Sequence, residues 1–286
     1  MKVILNYIAA FVCPATLVAQ TGLLVVAHGA GPEWNGPVRE TVASVSWPHG
    51  PVQVAFLMGA ETPASGWDSA AARLVRAGAR DIVAVPLMVS TFGEHVTEIR
   101  WLAGEVAQLP ASLASHAQHH RMALPVPARV TAALDDAPEL GGALAARWAA
   151  LSDADRSRPV LLVAHGPSAD SLAQYWVHNL TTVAAALTRA GAGAVRIGLL
   201  RDDAPPPVRA AAIAAMRDTV LALAARSGDS VVALPVMISS GAITAERIPR
   251  DLLGLPIRYS ALPLAPLPHL ARWIERVAST SRTATR

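Results

Sequence analysis

The sequence predicts an α/β protein of two tandem repeats, each a parallel-sheet sandwich of about four strands with flanking helices. The first observation behind this prediction is a repeat: the run LLVVAHG at 23–29 matches VLLVAHG at 160–166 almost letter for letter. The second is that both runs are apolar without alternation, as in parallel strands covered on both faces. A duplicated unit built around such strands indicates two similar α/β halves.

The order of elements is the same in both halves. The apolar run IVAVPLMVS at 82–90 has its counterpart in VVALPVMIS at 231–239, and a glycine turn precedes each run. These are the predicted third strands. The second strands are predicted at 52–57 and 194–200. Alanine-rich helices follow them at 69–77 and 209–225, and the fourth strands are predicted at 126–130 and 257–262.

The pattern also predicts the boundaries of the chain's parts. Paired aspartates, paired glycines and an Arg-Ser-Arg-Pro run surround a possible helix between the two copies, which is typical of a boundary. The predicted parts are a signal peptide at 1–20, a first repeat at 21–134, a linker with a helix at 135–158, a second repeat at 159–280 and a tail at 281–286.

Composition narrows the possible functions. The net charge is only +3 and no block of like charges occurs, so nucleic-acid binding is not indicated. Arginine supplies almost all the positive charge and suits a small anionic ligand. Cys13 is the single cysteine, which excludes an internal disulfide or an iron–sulfur cluster. A metal site would use histidine, carboxylate or water.

The first twenty residues resemble an export signal. They begin with Lys2, continue through an apolar run to Pro14, and place small residues near Ala19. This pattern predicts cleavage near Ala19 and a periplasmic or secreted protein. The alternative is an apolar segment that stays attached to a cytoplasmic protein. No other stretch has the length of a membrane span, so no stable span is predicted once the leader is cleaved.

Three histidines fall where parallel strands end. His28 and His165 end the first strands of the two copies, and His95 follows the third strand of the first copy. Ligands of open parallel sheets bind beyond the carboxyl ends of the strands. His28 and His95 are therefore predicted on one rim, where they can share a site. The alternative for His28 alone is a strand-end histidine that bonds a loop carbonyl.

These residues resemble the sirohydrochlorin cobaltochelatase and ferrochelatase family, over about 22–278. The resemblance is carried by Ala27-His28-Gly29, by Phe56-Leu57, and by the VPL turn that leads to His95. Members are class II chelatases, which insert a divalent ion into a tetrapyrrole without another cofactor. The resemblance implies that His28 and His95 bind the ion, whether Co²⁺, Fe²⁺, Ni²⁺ or Zn²⁺, as a substrate, and that no organic cofactor is needed.

The second copy departs from the family pattern. His165 is present, but Ile243 stands where the second histidine belongs. The first copy also lacks the family's usual acid, because Met58 follows Phe56-Leu57 and the next acid is Glu61. We therefore predict an active first repeat and a degenerate second repeat whose His165 contacts the substrate. The alternative is that His165 merely survives from the duplication.

Charged residues near these histidines have predicted roles of their own. Glu94 and Glu98 flank His95 and are candidates for metal binding or proton transfer; the alternative is solvated charges at a helix start. Glu61 is a third candidate for these roles and is expected to contact the substrate. Arg39 is a candidate for pairing with substrate carboxylates, as are Arg201 and Arg247. A His-rich patch is formed by His116, His119 and His120. It could store metal, and the alternative is an exposed loop.

The predicted function is insertion of Co²⁺ or Fe²⁺ into sirohydrochlorin or a related tetrapyrrole without ATP. The alternative is a non-catalytic metal- or tetrapyrrole-binding protein of the cell envelope, which the export signal, Met58 and the incomplete second copy favour. A hydrolase using Ser90 or Ser239 is set aside, because no Gly-x-Ser-x-Gly motif surrounds either serine.

Overall fold

The computed structural model describes residues 20–109, 111–114 and 124–283. The predicted leader, apart from Gln20, and the His-rich patch at His116, His119 and His120 lie outside these residues. Within the described ranges, no helix is both long and apolar enough to cross a membrane.

The first repeat begins with a strand and alternates strands with helices. Its elements are β1 (Gln20–Ala27), α1 (Pro32–Ala43), β2 (Val52–Phe56), α2 (Thr62–Ser65), α3 (Trp67–Arg76), β3 (Ala79–Pro86), α4 (Glu94–Leu102), a 3-10 turn (Ala111–Leu113), β4 (Ala128–Val130), α5 (Pro138–Ala149) and α6 (Asp153–Arg156).

The second repeat follows the same order. Its elements are β5 (Val160–Ala164), α7 (Asp170–Arg189), β6 (Val195–Leu199), α8 (Pro206–Ser227), β7 (Val231–Val236), a π-helical turn (Ile243–Arg247), α9 (Ile248–Asp251), β8 (Ile257–Tyr259) and α10 (Pro268–Thr283).

Each repeat contains one four-stranded parallel sheet, which confirms the predicted fold class. The strand orders are β2-β1-β3-β4 and β6-β5-β7-β8, so the first strand of each repeat lies beside the third. In the first sheet, Val26 pairs with Pro86. The residues that follow these two strands, including His28, therefore leave the sheet at the same edge.

Side chains of β1 alternate between two separate cores. Leu23, Val25 and Ala27 belong to a central core that both repeats share, and Leu24 and Val26 belong to an outer core covered by α3. The second repeat has its own outer core under α8. Both faces of each sheet are thus buried, which explains why the strands are apolar throughout.

The helices that end the two repeats hold the central core together. α10, from the end of the second repeat, packs against β1, β3 and α1 of the first. α5, from the end of the first repeat, packs along α7, and its Arg147 donates to the carbonyl of Pro235 in β7. Each terminal helix therefore contacts the other repeat.

The segment 135–158, expected to be a linker with a helix, contributes its helix α5 to this core. The amide of Leu134 before α5 bonds the carbonyl of Met88, and Leu264 before α10 bonds Met237 in the same way. α5 is thus the counterpart of α10. It is buried because its apolar face, including Leu140 and Leu144, packs between the sheets.

Candidate metal centre

The loop after β1 orients the ring of His28. Nδ1 of His28 lies 2.8 Å from the carbonyl oxygen of Gly29, and a carbonyl only accepts, so Nδ1 carries the proton. The lone pair of the neutral ring is then on Nε2, the nitrogen available to a metal. Gly29 has φ +84°, and a Cβ there would lie 2.4 Å from the carbonyl oxygen of Met58, so only glycine fits this turn.

His95 lies in the first turn of α4 and is oriented by Glu98. Its Nδ1 is 3.0 Å from Oε2 of Glu98, one helical turn further on, and the Glu98 side chain is 1% exposed. An ionised carboxylate accepts from a protonated Nδ1, which puts the lone pair of the His95 ring on Nε2. Carboxylates commonly orient metal-binding histidines in this way.

The rings of His28 and His95 lie together at the edge of the first sheet. Their centroids are 4.9 Å apart and the planes are nearly perpendicular, at 87°. Metal–nitrogen bonds are about 2.1 Å long, so one ion can join two rings whose centroids lie within about 6 Å. The structure thus brings together the two histidines that the strand-end pattern placed on one rim.

The surroundings of His28 favour its neutral form. Burial, and next the charge of His95, lower its pKa from 6.5 to about 4, and the charge of His165 acts in the same direction. The hydrogen bond to Gly29 and the charge of Asp203 oppose this shift. His28 is therefore neutral at pH 7, the form that binds a metal ion.

The loop between β3 and His95 is fixed by Asp135. Oδ1 of Asp135 accepts from the amide of Thr91 at 2.8 Å, the hydroxyl of Ser90 at 3.3 Å and the amide nitrogen of Asn179 at 3.1 Å. Asp135 has φ 48°, a conformation that aspartate tolerates better than most residues. Since Asn179 belongs to α7, this carboxylate joins the loop to the second repeat.

Other contacts bring the rims of the two repeats face to face. Glu94, next to His95, accepts a hydrogen bond from the hydroxyl of Ser168, which lies three residues after His165. On the other side, the hydroxyl of Ser239 donates to the carbonyl of Trp34 at 2.8 Å. The loops after β1, β3, β5 and β7 therefore meet between the repeats.

The second repeat reproduces the orientation of the first-strand histidine but has no counterpart of His95. Nδ1 of His165 lies 2.9 Å from the carbonyl of Gly166, as in His28 and Gly29. His95 lies nine residues after Pro86, and the residue nine after Pro235 is Thr244 rather than the expected Ile243. Either side chain lacks a metal-binding nitrogen, so the repeat has no equivalent of His95.

The acid and arginine expected to contact the substrate pair with each other. Arg39 donates to Oε2 of Glu61, and Nδ2 of Asn35 donates to Oε1 at 3.1 Å. These two bonds hold the pKa of Glu61 below its usual 4.5. The Arg39 guanidinium also lies 4.9 Å from the ring centre of Phe56. Substrate binding by Arg39 and Glu61 stays a prediction.

The two arginines of the second repeat that were expected to pair with substrate carboxylates, Arg201 and Arg247, also bond groups of the protein itself. Arg201 bonds the carbonyls of Pro167 and Ser168 and pairs with Asp170, so it holds the loop after β5. Arg247 pairs with Asp202. Both contacts stabilise loops of the second repeat.

One residue at this rim was missed by the sequence reasoning. Asp203 follows β6, and its Oδ2 lies 3.5 Å from Nε2 of His165. The amide of Met58 donates to the carbonyl of His28, and the amide of Arg201 donates to the carbonyl of His165. The loop after β6, which contains Asp203, is therefore the counterpart of the loop after β2. Comparison of Phe56-Leu57 with Leu199-Leu200 would have found an acid there.

Comparison with known proteins agrees with the fold described above. Residues 22–151, a range that includes α5, match the CbiX family model. SirB from Bacillus subtilis with Fe³⁺ has a TM-score of 0.60 and 16% identity, covering 93% of this chain and 97% of that one. No curated protein sequence matches significantly.

Two further solved structures have the same fold. The sirohydrochlorin chelatase SirB from Bacillus subtilis subspecies spizizenii, in complex with cobalt, has a TM-score of 0.61 and 16% identity, covering 93% of this chain and 97% of that one. CbiX, the terminal enzyme for siroheme biosynthesis in denitrifying bacteria, has a TM-score of 0.53 and 17% identity, covering 91% and 99%. Residues 22–151 of the chain therefore match the CbiX family model, and its two repeats together have the fold of the sirohydrochlorin chelatases.

Proposed function

We propose that the protein is a metal chelatase that inserts Co²⁺ or Fe²⁺ into sirohydrochlorin or a related tetrapyrrole without ATP. The observation that carries this proposal is the contact between the His28 and His95 rings, whose centroids are 4.9 Å apart. Two neutral imidazoles bind either ion and leave other coordination positions for the pyrrole nitrogens. An ion held by few ligands can also leave, which transfer requires.

Insertion releases two protons from the macrocycle as the ion replaces them. Glu98 is buried and bonded to His95, so in this proposal it orients the ligand and balances the charge of the ion. Glu94 lies at the junction of the repeats and is the better placed of the two to take up a proton. The tetrapyrrole would bind between the rims, beside Trp34, whose ring centre is 6.1 Å from that of His28.

The test is metal insertion by the purified full-length chain. We expect Co²⁺ to shift the absorption spectrum of sirohydrochlorin faster with the protein than without it. His28→Ala and His95→Ala should each abolish this acceleration, and His178→Ala, an exposed histidine on α7, should preserve it. An unchanged rate in His28→Ala would overturn the proposal.

A second candidate is a protein that binds metal or tetrapyrrole without turnover. Met58, in place of an acid in the loop after β2, favours it, because the first repeat then lacks a carboxylate at that position. Multiple turnovers decide between the candidates. A chelatase forms more product than protein, whereas a binding protein stops at one equivalent.

We also propose that residues 1–20 direct export, which would make the mature protein periplasmic or secreted. Sequencing the N-terminus of the protein isolated from its native cells tests this. Cleavage near Ala19 supports export, and an intact start at Met1 contradicts it.

A further inference from the structure

Three side chains at the rim of the second repeat form a group of potential metal ligands. The ligand atoms of His165, Asp202 and Asp203 all lie within 4.8 Å of one another. Nδ1 of His165 donates to the carbonyl of Gly166, so the lone pair of the neutral ring is on Nε2. This nitrogen lies 3.5 Å from Oδ2 of Asp203, which is also an acceptor. Two carboxylates and an imidazole lone pair this close together require a positive charge beside them.

The guanidinium group of Arg247 brings a positive charge to this group. Arg247 lies in the π-helical turn that follows β7, and its Nη1 pairs with Oδ2 of Asp202. The corresponding segment of the first repeat is α4, which follows β3 and carries His95 in its first turn. Corresponding segments of the two repeats therefore present different groups at the rim, an imidazole in the first repeat and a guanidinium in the second.

The buried charges around Asp202 are balanced without a metal ion. The side chains of Asp202 and Asp251 are only 3% and 8% exposed. Arg209 lies 2.9 Å from Oδ1 of Asp202 and 2.7 Å from Oδ2 of Asp251, and Arg247 takes the other oxygen of Asp202. Two guanidinium groups thus face two buried carboxylates. Arg250 is also 3.7 Å from Asp251, but it is exposed and its charge is screened by solvent. A divalent ion entering this group would be repelled by the guanidinium groups.

Removal of Arg247 alone would change this balance. Arg209 would then be shared between two buried carboxylates and could neutralise only one of them. A buried charge without a partner is costly, and a divalent ion would offset it. Ligand atoms that bond one ion at about 2.1 Å lie up to about 4.2 Å apart. His165, Asp202 and Asp203 would therefore have to approach one another by less than about 1 Å, and Asp203 is exposed and free to make such a shift.

We propose that Arg247 takes the place of a metal ion in the second repeat. Its guanidinium group neutralises Asp202 and excludes divalent ions from the group formed by His165, Asp202 and Asp203, so that the ion binds in the first repeat. This inference deepens the proposed function and rests on it for the site at His28 and His95. Arg247 is thus a specificity-determining residue, because it decides which of the two repeats receives the ion.

Co²⁺ binding to the full-length chain, measured by isothermal titration calorimetry, tests the proposal. We expect one Co²⁺ per wild-type chain and two per chain in Arg247→Ala. The additional ion should be lost again when His165→Gln is combined with Arg247→Ala. Arg247→Lys keeps the charge, and Arg250→Ala removes an exposed arginine of the same region, so both should bind one ion like the wild type. Arg247→Gln removes the charge with a smaller loss of packing, and it replaces the alanine variant if circular dichroism shows that Arg247→Ala does not fold.

Two results would overturn the inference. One is the absence of an additional ion in the folded variant that lacks the Arg247 charge. The other is a second ion in the wild type that is lost in His165→Gln, since Arg247 would then not exclude it. Either result leaves the proposed function standing if insertion still depends on His28. Conversely, an additional ion in Arg247→Ala without any insertion by the wild type would reject the chelatase proposal and keep the role of Arg247.

Discussion

The indole nitrogen of Trp176 donates a 2.6 Å hydrogen bond to the carbonyl oxygen of Phe92, and so joins α7 of the second repeat to the loop before His95. The ring of Tyr175 stacks on Phe92 from the same helix, with centroids 4.2 Å apart. The position of His95, which we propose as a metal ligand, thus depends on contacts from the second repeat.

Trp176→Phe should therefore destabilise the protein and weaken metal binding. The variant keeps an aromatic ring but loses the hydrogen bond, and we expect a loss of about 1 kcal/mol in the free energy of unfolding. Urea unfolding followed by circular dichroism measures it. Trp148→Phe is the matched control, because within the described ranges the Trp148 indole nitrogen has no hydrogen-bond partner. Equal losses in both variants would contradict this role of Trp176.

Glu98→Gln should weaken Co²⁺ binding. A neutral amide orients the His95 ring less firmly and no longer offsets the charge of the ion, so we expect a loss of roughly 10- to 100-fold. Calorimetric titration measures the affinity, with Glu33→Gln on the exposed start of α1 as the control. Wild-type affinity in Glu98→Gln would show that the bond to His95 is dispensable.

The pKa of His28 gives a prediction about acid pH. In the metal-free protein, the ring protons of His28 should titrate by NMR with a midpoint near 4 instead of 6.5. His95→Gln should raise the midpoint, because the charge of His95 lowers the pKa of His28. A midpoint near 6.5 in the wild type would contradict the buried setting of the ring.

The same shift predicts how stability depends on pH. Between pH 6.5 and about 4 the unfolded chain binds a proton at His28 more readily than the folded chain does. The free energy of unfolding should therefore fall as the pH is lowered through this window, and His28 should contribute no such loss above it. Urea unfolding at pH 7 and pH 5 measures this difference, which should shrink in His28→Gln.

The ion pair between Glu139 and Arg276 tests the packing of the terminal helices. Nε and Nη2 of Arg276 in α10 donate to the two oxygens of Glu139 in α5, at 2.6 and 2.7 Å. Glu139→Gln should lower the free energy of unfolding by about 1 kcal/mol or less, because Arg276 is half-exposed. Arg276 holds the pKa of Glu139 below 4.5, so this contribution is lost as the pH falls through that lowered value. An unchanged stability in Glu139→Gln would contradict the contribution.

Much of the fold could be predicted from local sequence. Strands buried on both faces have apolar side chains at every position, so β1 and β5 were recognisable, and their ends indicated the rim. His28 and His95 could be placed together because parallel strands end at the same edge. The two parallel sheets confirm the interpretation of the strands, and the 4.9 Å between the centroids of the two rings agrees with a shared edge.

Contacts between the repeats could not be predicted in the same way. The apolar face of α5 shows that the helix is buried but not which sheet it meets, so the sequence predicts a linker with a helix at 135–158 and not its packing between the repeats. Asp203 was missed because a lone acid after a strand carries no pattern of its own. Its importance depends on His165, 38 residues earlier, and on the fold that brings them together.

The position of the bound ion tests the central claim most directly. Crystals of the protein soaked with Co²⁺ should show, by anomalous scattering, one ion within bonding distance of Nε2 of both His28 and His95. An ion bound elsewhere, with these two rings unligated, would contradict the account.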